Sequence, residues 1–342
     1  MTMTKRLRYW GLIGPMPAAE LTATCRMFEA VGVDGLFAPQ VLGPPWIPLA
    51  AAAAVTERVQ IASGIAIAAA RSPFETAMAA LDLDRLSGGR FVLGLGTSVL
   101  AWTRGIFGSP VEKQVSHLRE TVAAIRHIVA GAHVGLAPFE GEFYRADFRE
   151  LQPMSPPVRS AIPIWIAALR TRMVGLAAEV GDGLIGHPMW SIEWTLERMR
   201  PDFEAALARA RRRRDDVEVN LWYWAAPGPD VRQAIDDARP TMAFYGGVAQ
   251  YEPFFAAHGF AEVARKLQVA VQRGDYRSAA ALVPDEMVRT FVAVGERDAI
   301  RARFAPVASF ADSLCVVPPV YALPPERVRE YGVGIAEALY GS

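Results

Sequence analysis

Short apolar runs alternate with longer stretches in which apolar residues recur at helical spacing along this chain. The apolar runs predict strands at residues 8–13, 35–38, 59–67, 91–96, 162–168, 183–186, 217–225 and 313–317, with a further short run at 291–294. Several of these strands are apolar at every position, which is typical of parallel strands buried on both faces. About eight strand–helix units in one chain predict a closed (β/α)8 barrel, or TIM barrel, more than an open sheet.

Two segments interrupt this rhythm, and we interpret them as insertions in a single domain of 342 residues. Residues 131–161 follow the fourth helix, predicted at 110–130, and contain FEGEFYRADF, whose Gly141 between short aromatic-bearing runs predicts a small hairpin. Residues 246–287 precede the last strand and are predicted to be helical. Both insertions are rich in aromatic residues, so we expect them to wall a pocket for an apolar ligand.

The stretch from Ser72 to Ser98 carries an unusual strand. A helix opening at Ser72 and Pro73 is predicted to stop near Gly88, and the strand that follows has Gly94 and Gly96 on one face. Two glycines weaken a strand, so they indicate a bulge, a tight bend or a flat ligand against the backbone. We favour a planar ring.

This loop does not fit a dinucleotide fingerprint. The position of the third glycine is Val99, and the next helix is predicted only near Pro110.

Charge and cysteine content narrow the class of protein. Lysine plus arginine and aspartate plus glutamate number 36 each, so net charge gives no case for nucleic acid or an anionic membrane as partner. No apolar run approaches the roughly 18 residues that a membrane-spanning helix needs. Two distant cysteines do not indicate a disulfide framework or a metal site, so we expect a cytoplasmic protein.

Candidate chemistry lies in the loops that follow the strands. The loop after the fifth predicted strand leads into a helix whose N-terminus could hold a phosphate, with Arg170 and Arg172 as further donors. Two solvated arginines explain the same residues equally well. His187 follows the sixth strand and is the one histidine with a candidate catalytic position. No histidine has metal-ligand spacing.

The segment LDRLSGGRFVLGLGTS closely resembles the signature of the luciferase-like flavin and deazaflavin oxidoreductases. The resemblance covers nearly the whole chain, and residues 243–246 and 291–296 are similar to the subgroup that depends on coenzyme F420, a deazaflavin. It implies a (β/α)8 barrel, a homodimer, a cofactor ring at the barrel mouth near Thr97 and a cis peptide at Gly64-Ile65. The cofactor contacts that it implies are Gly64, Ile65, Gly96, Thr97, Ser98, Ala168, Leu169, Arg170 and Met173.

Three positions depart from the family pattern. Gln40 stands where relatives often carry His or Glu, so this side chain offers hydrogen bonds but no proton transfer. Val99 replaces a Glu found in some sugar-phosphate dehydrogenating relatives, and Arg170-Thr171 replaces a frequent Gly-Pro. The catalytic candidates are therefore Gln40 and His187, with His187 or water as the proton donor.

The leading hypothesis is hydride transfer between coenzyme F420 and a small, apolar organic substrate. The first alternative is an FMN-dependent monooxygenase that uses reduced flavin and oxygen. Either enzyme could depend on a separate flavin or F420 reductase. The second alternative is a flavin- or deazaflavin-binding protein without turnover. No metal, nucleic-acid or membrane partner is expected.

Overall fold

The computed structural model describes residues 6–41, 43–109 and 111–340. Over these ranges the chain forms twelve strands: β1 (Arg8–Leu12), β2 (Gly35–Ala38), β3 (Gln60–Ser63), β4 (Ala66–Ile67), β5 (Phe91–Gly96), β6 (Phe139–Glu140), β7 (Arg145–Ala146), β8 (Ile164–Ala167), β9 (Gly183–Ile185), β10 (Glu218–Pro227), β11 (Val292–Gly295) and β12 (Ser313–Val317).

The same ranges contain fifteen α-helices: α1 (Ala18–Ala30), α2 (Trp46–Val55), α3 (Pro73–Leu86), α4 (Leu100–Gly105), α5 (Gln114–Gly131), α6 (Thr171–Val180), α7 (Ile192–Trp194), α8 (Arg200–Ala210), α9 (Val231–Gly246), α10 (Glu252–Ala256), α11 (Ala261–Gln272), α12 (Tyr276–Ala281), α13 (Asp285–Phe291), α14 (Arg297–Phe304) and α15 (Pro325–Leu339). A π-helical turn, Thr195–Met199, joins α7 to α8.

Strand pairing closes into a ring. From β10 the neighbours are β12, β1, β2, β3, β5, β8 and β9, and β9 pairs with β10 again. Pairing along β1, β2, β3, β5, β8, β9 and β10 is parallel. The chain is therefore a (β/α)8 barrel, as the hydrophobic pattern predicted. β4 adds to β5 and β11 adds to β10 outside the ring path.

The chain divides into two compact units. The N-terminal unit comprises Trp10–Gly186 and Pro201–Asn220. The C-terminal unit comprises residues 6–9, His187–Arg200 and 221–340 of the described chain.

Large aromatic side chains fill the core of the N-terminal unit. The ring of Trp10 lies 4.3 Å from that of Phe37 and 5.1 Å from that of Trp165. A Cβ added to Gly35 would lie 2.5 Å from the Trp10 ring, and one added to Gly183 would lie 2.3 Å from Trp165. These two glycines therefore make room for the tryptophans.

Residues in and beside the LDRLSGGRFVLGLGTS segment also stabilise the N-terminal unit. Ser72 caps α3 by accepting a hydrogen bond from the Glu75 N–H at 3.1 Å. Gly88 follows the helix at φ 64°, as predicted for this glycine. Asp84 is 1% exposed, and its carboxylate accepts a hydrogen bond from Nε of Arg159 at 3.0 Å. Because a buried carboxylate needs a partner, this ion pair ties α3 to the segment that precedes β8.

Arg90 joins β5 to the end of α2. Its guanidinium donates to the carbonyl oxygens of Ser87, Val59, Ala53 and Thr56, at 2.7, 2.7, 3.1 and 2.8 Å. It also donates to the Thr56 hydroxyl at 3.0 Å. One side chain thus pairs with two carbonyl groups at the end of α2, one at the end of α3 and one just before β3.

The two glycines of β5 have a different cause from the planar ring that we favoured. A Cβ on Gly94 would lie 1.9 Å from the backbone oxygen of Ser63, and one on Gly96 would lie 2.9 Å from the Ile65 side chain. The Ser63 hydroxyl donates to the Gly94 oxygen at 2.8 Å and accepts from the Gly94 N–H at 3.0 Å. The backbone between β3 and β4 occupies this space, so the ring interpretation of the spacing is wrong.

The helix after β5 also differs from expectation. Helix α4 begins at Leu100, directly after the loop, whereas no helix was expected before residue 110. The long helix predicted from Pro110 is α5, which begins at Gln114, and Pro110 itself lies outside the described residues.

Both insertions have the predicted local structure. β6 and β7 form an antiparallel hairpin, with Phe139 opposite Ala146. Residues 246–287 form α10, α11, α12 and the start of α13.

The C-terminal unit is stabilised by buried phenylalanine side chains and by hydrogen bonds to a carboxylate. Phe254, Phe255 and Phe291 are buried, and the Asp237 carboxylate accepts from Arg327 and from the Tyr331 hydroxyl, each at 2.7 Å. Within the described residues, the helices lack the length and apolar content needed to cross a lipid bilayer.

Candidate active site

Gln40 follows β2 and is 7% exposed. Its side-chain oxygen accepts two hydrogen bonds at 3.0 Å, from the Ile67 N–H and from Nη1 of Arg71. Because both partners are donors, the oxygen must face them and the amide NH2 group must face elsewhere. That nitrogen is buried and has no acceptor among the described residues. An unpaired buried donor is costly, so it marks a place where a bound ligand would supply an acceptor.

Arg71 lies beside this amide, after the 3₁₀ turn Ala68–Ala70. Its guanidinium carbon lies 5.5 Å from the centre of the Trp46 ring, and its Nε lies 3.7 Å from Oε1 of Glu75. Burial lowers the pKa of Arg71, and the Glu75 carboxylate partly offsets this effect. The Nε1 of Trp46 is also buried without an acceptor among the described residues.

The predicted cofactor contacts at the ends of β3, β4 and β5 come together. The Gly64-Ile65 peptide is cis, as expected, and the Ile65 oxygen accepts from the Gln40 backbone N–H at 3.0 Å. Gly96 is the register partner of Ile67. Gln40, Gly64, Ile65 and Gly96 therefore share one edge of the barrel sheet within the N-terminal unit.

The loop after β5 continues along this edge. Thr97 and Ser98 are partly buried, and Ser98 has a left-handed φ of 59°. The side-chain amide of Gln114 donates to the Ser98 oxygen at 3.5 Å. This contact links the loop to the first residue of α5.

The predicted phosphate site lies at the start of α6. Ala168 donates its N–H to the Ile185 oxygen at 2.9 Å, and the N–H of Met173 donates to the Arg170 oxygen at 2.8 Å. The Thr171 hydroxyl donates a hydrogen bond to the half-buried carboxylate of Asp202 at 2.7 Å. That acid opposes a phosphate at the helix N-terminus, whereas the exposed Arg170 favours one. The contacts assigned to Ala168, Leu169, Arg170 and Met173 stay predictions.

His187 belongs to the C-terminal unit and lies after β9. The Met189 N–H donates to Nδ1 of His187 at 3.1 Å, so Nδ1 carries no proton in the neutral ring and we assign the proton to Nε2. Nε2 lies 3.4 Å from the Tyr251 hydroxyl. Burial lowers the pKa of His187 to about 4. At neutral pH the ring is therefore uncharged. In this state His187 can donate a hydrogen bond from Nε2, but it is not suited to act as a general acid.

His187 belongs to a set of rings in contact within the C-terminal unit. We name this set the aromatic cluster: His187, Trp224, Phe244, Tyr245, Tyr251 and Tyr321. The Tyr251 ring lies 5.2 Å from His187, and the Trp224 ring lies 4.8 Å from Tyr245. Burial raises the pKa of Tyr251 to about 12 and also raises that of Tyr245. These phenols therefore stay neutral and present hydroxyl groups on an apolar surface.

Reasoning from the sequence missed Arg71 and the tyrosines around His187 as site residues, and it favoured barrel packing over a site role for Trp46. Two signals were present: the proline-rich loop that holds Trp46, and the Arg71-Ser72-Pro73 motif after the third strand. Neither signal shows which side chains meet.

Comparisons with known proteins agree with this architecture. The pattern of the family described as luciferase-like monooxygenase matches residues 2–313. A putative coenzyme F420-dependent oxidoreductase of Mycobacterium tuberculosis is 32% identical over 322 residues, which cover 89% of this chain and 91% of that protein. A 5,10-methylenetetrahydromethanopterin reductase of Archaeoglobus fulgidus is 30% identical over 257 residues, 72% of this chain and 73% of that protein.

A solved structure shows the same fold. The coenzyme F420-dependent tetrahydromethanopterin reductase of Methanopyrus kandleri superposes with a TM-score of 0.80 at 19% identity, covering 97% of this chain and 98% of that one. With the signature segment and the closed barrel, the family match leads to one conclusion: the chain belongs to the luciferase-like monooxygenase family and is an oxidoreductase of that family.

Proposed function

We propose that this protein transfers hydride between coenzyme F420 and a small organic substrate. A relative that is 32% identical to this chain carries the name of a putative coenzyme F420-dependent oxidoreductase, and this name supports the deazaflavin over FMN. The observation that carries the proposal is the Gln40 amide, a buried donor without an acceptor among the described residues, beside positions where cofactor contacts are predicted.

The residues at this edge fit a planar cofactor ring. Gln40 offers an N–H that two other hydrogen bonds hold in orientation, and the cis Gly64-Ile65 peptide lies beside it, since the Ile65 oxygen accepts from the Gln40 backbone N–H. A ring carbonyl or a substrate carbonyl would satisfy that N–H. Thr97 and Ser98 would contact the cofactor from the loop after β5.

The cofactor supplies the hydride chemistry when it is bound, and the protein supplies binding and orientation. Gln40 donates a hydrogen bond and transfers no proton, because an amide does not ionise near neutral pH. His187, as the Nε2–H tautomer, donates a hydrogen bond towards Tyr251 and orients that hydroxyl. A proton required by the product then comes from water, since the low pKa of His187 leaves the ring without its acidic second proton at neutral pH, and the remaining Nε2–H is too weak an acid to be transferred.

The proposal is tested by equilibrium titration of the purified protein with coenzyme F420 and with FMN, followed by turnover assays. We expect micromolar or tighter binding of F420, weaker binding of FMN, and oxidation of reduced F420 in the absence of oxygen when an acceptor is supplied. Oxygen uptake with reduced FMN, without F420 binding, would indicate the monooxygenase instead. Tight cofactor binding without turnover over a broad acceptor panel would indicate a binding protein.

A further inference from the structure

Three hydrogen-bond donors lie together in the N-terminal unit, and we name them the donor cluster: the Gln40 amide, the Arg71 guanidinium and the Trp46 indole N–H. Arg71 connects the other two, since its Nη1 donates to Gln40 at 3.0 Å and its guanidinium carbon lies 5.5 Å from the Trp46 ring centre. Hydride chemistry alone does not explain why a cation and two N–H groups meet here.

The polar atoms of this cluster are buried and short of acceptors. Nε2 of Gln40 and Nε1 of Trp46 have no acceptor among the described residues, and Gln40 is only 7% exposed. Leaving one such donor unpaired costs about 1–3 kcal/mol. Two unpaired donors beside one cation therefore indicate that an acceptor-rich group belongs in this place.

The charge of Arg71 is also poorly compensated. Its side chain is 12% exposed, and among the described residues its carboxylate neighbour is Glu75, at 3.7 Å and 63% exposed. That distance is beyond a hydrogen bond, and an exposed carboxylate in water compensates a buried cation weakly. Helix α3 begins two residues later, at Pro73, so its positive end adds to the same field.

We propose that the donor cluster binds a carboxylate group of the substrate, an inference that rests on the proposed hydride-transfer function. A carboxylate has two oxygens with about four lone-pair sites, which match a guanidinium edge together with the amide and indole N–H groups. The substrate is then an organic acid whose body is apolar. This assignment replaces the wholly apolar ligand expected from the aromatic content of the insertions.

The acceptor could have a second source, because coenzyme F420 itself carries carboxylates on its side chain. The two sources are separated by measuring carboxylate binding with and without the cofactor. A substrate site keeps its affinity for a small carboxylate when F420 is bound, whereas a cofactor site loses it.

The experiment is calorimetric titration of the full chain with benzoate and with benzamide, a neutral ligand of the same shape. We expect benzoate to bind the wild type at least 10-fold more tightly than benzamide, in the presence and absence of F420. Arg71→Gln should weaken benzoate binding at least 10-fold and leave benzamide unchanged. Arg85→Gln is the matched control, because it removes an exposed arginine of α3 that pairs with Asp82 instead.

Two milder variants guard against a folding defect in Arg71→Gln. Trp46→Phe keeps an aromatic face but removes the N–H together with the five-membered ring, and Arg71→Lys keeps the charge but loses the forked geometry. Each should weaken benzoate binding several-fold while the melting temperature stays within a few degrees of wild type.

Equal affinity for benzoate and benzamide, or equal benzoate affinity in wild type and all Arg71 and Trp46 variants, would overturn the inference. Loss of benzoate binding on addition of F420 would overturn it in favour of the cofactor's own carboxylates. Neither result touches the hydride-transfer proposal, which fails separately if F420 does not bind or react.

Discussion

At the scale of single residues, the side chain of Gln40 shows how a departure from a family pattern gains meaning from its contacts. Its position after the second strand could be read from the sequence, and an amide there already excluded proton transfer. Its orientation could not be predicted, because Ile67 and Arg71 lie 27 and 31 residues further along the chain. Only the fold shows that the NH2 group is the free end.

Replacing Gln40 tests this orientation. Gln40→Met keeps the length of the side chain and removes the donor, so we expect kcat/KM with reduced F420 to fall about 10- to 100-fold. The measurement is steady-state kinetics under anaerobic conditions. Gln272→Met, at an exposed glutamine of α11, is the matched control and should retain wild-type activity. A Gln40→Met enzyme within twofold of wild type would contradict the assignment.

His187 predicts a specific pH dependence of stability. Its pKa is about 4 in the folded chain, below the value of roughly 6.5 for an unfolded histidine. Between these pH values the unfolded state binds more protons, so the free energy of unfolding falls as the pH is lowered. This contribution is present above pH 6.5 and is lost as the pH approaches 4.

Urea unfolding at pH 6.5 and pH 5 measures this effect. We expect wild type to lose about 1–2 kcal/mol more than His187→Gln over this interval, because the variant lacks the titrating group. Parallel losses in the two proteins would show that His187 does not stay neutral in the folded state.

At the scale of secondary structure elements, strand bounds followed closely from apolar runs, and β2 and β12 begin and end where the pattern placed them. The glycines of β5 were wrongly interpreted as contacts for a planar ring, because the cause lies in another strand. The backbone oxygen of Ser63, in β3, leaves no space for a Cβ at Gly94. Helix α4 was missed since it has six residues and Val99 at its N-cap, a residue type that gives no capping signal.

The close contact at Gly94 predicts a large effect of one methyl group. Gly94→Ala would place a Cβ 1.9 Å from the Ser63 oxygen, so we expect a loss of more than about 3 kcal/mol in unfolding free energy, or failure to fold. Gly175→Ala is the matched control, since Gly175 lies inside α6 with no atom within 4 Å of the added Cβ. It should stabilise the chain by about 0.5–1 kcal/mol. Equal stabilities of the two variants by urea unfolding would contradict this packing.

Arg90 provides a second prediction for the signature segment. Arg90→Lys should lower the unfolding free energy by about 2–4 kcal/mol, because a single ammonium group cannot reach the four carbonyl groups that the guanidinium now satisfies. Arg85→Lys, on an exposed face of α3, should change it by less than about 0.5 kcal/mol. A small loss in Arg90→Lys would mean that these hydrogen bonds are not needed for the fold.

At the scale of the whole molecule, the repeated strand–helix pattern and the LDRLSGGRFVLGLGTS segment were sufficient to predict the barrel and the family. Hydrophobic periodicity reports which faces are buried, and a barrel follows when about eight such units occur in one chain. The site was predictable only as a set of positions at strand ends. The pairing of Gln40 with Arg71, and of His187 with Tyr251, depends on contacts between distant segments that no local pattern encodes.

The most direct test of the central claim is anaerobic mixing of the protein with stoichiometric reduced coenzyme F420, with the absorbance of the oxidised deazaflavin as readout. We expect oxidation on addition of an organic acceptor, at a rate that is about 10- to 100-fold lower in Gln40→Met. Failure of F420 to bind, together with oxygen consumption by reduced FMN, would contradict the account.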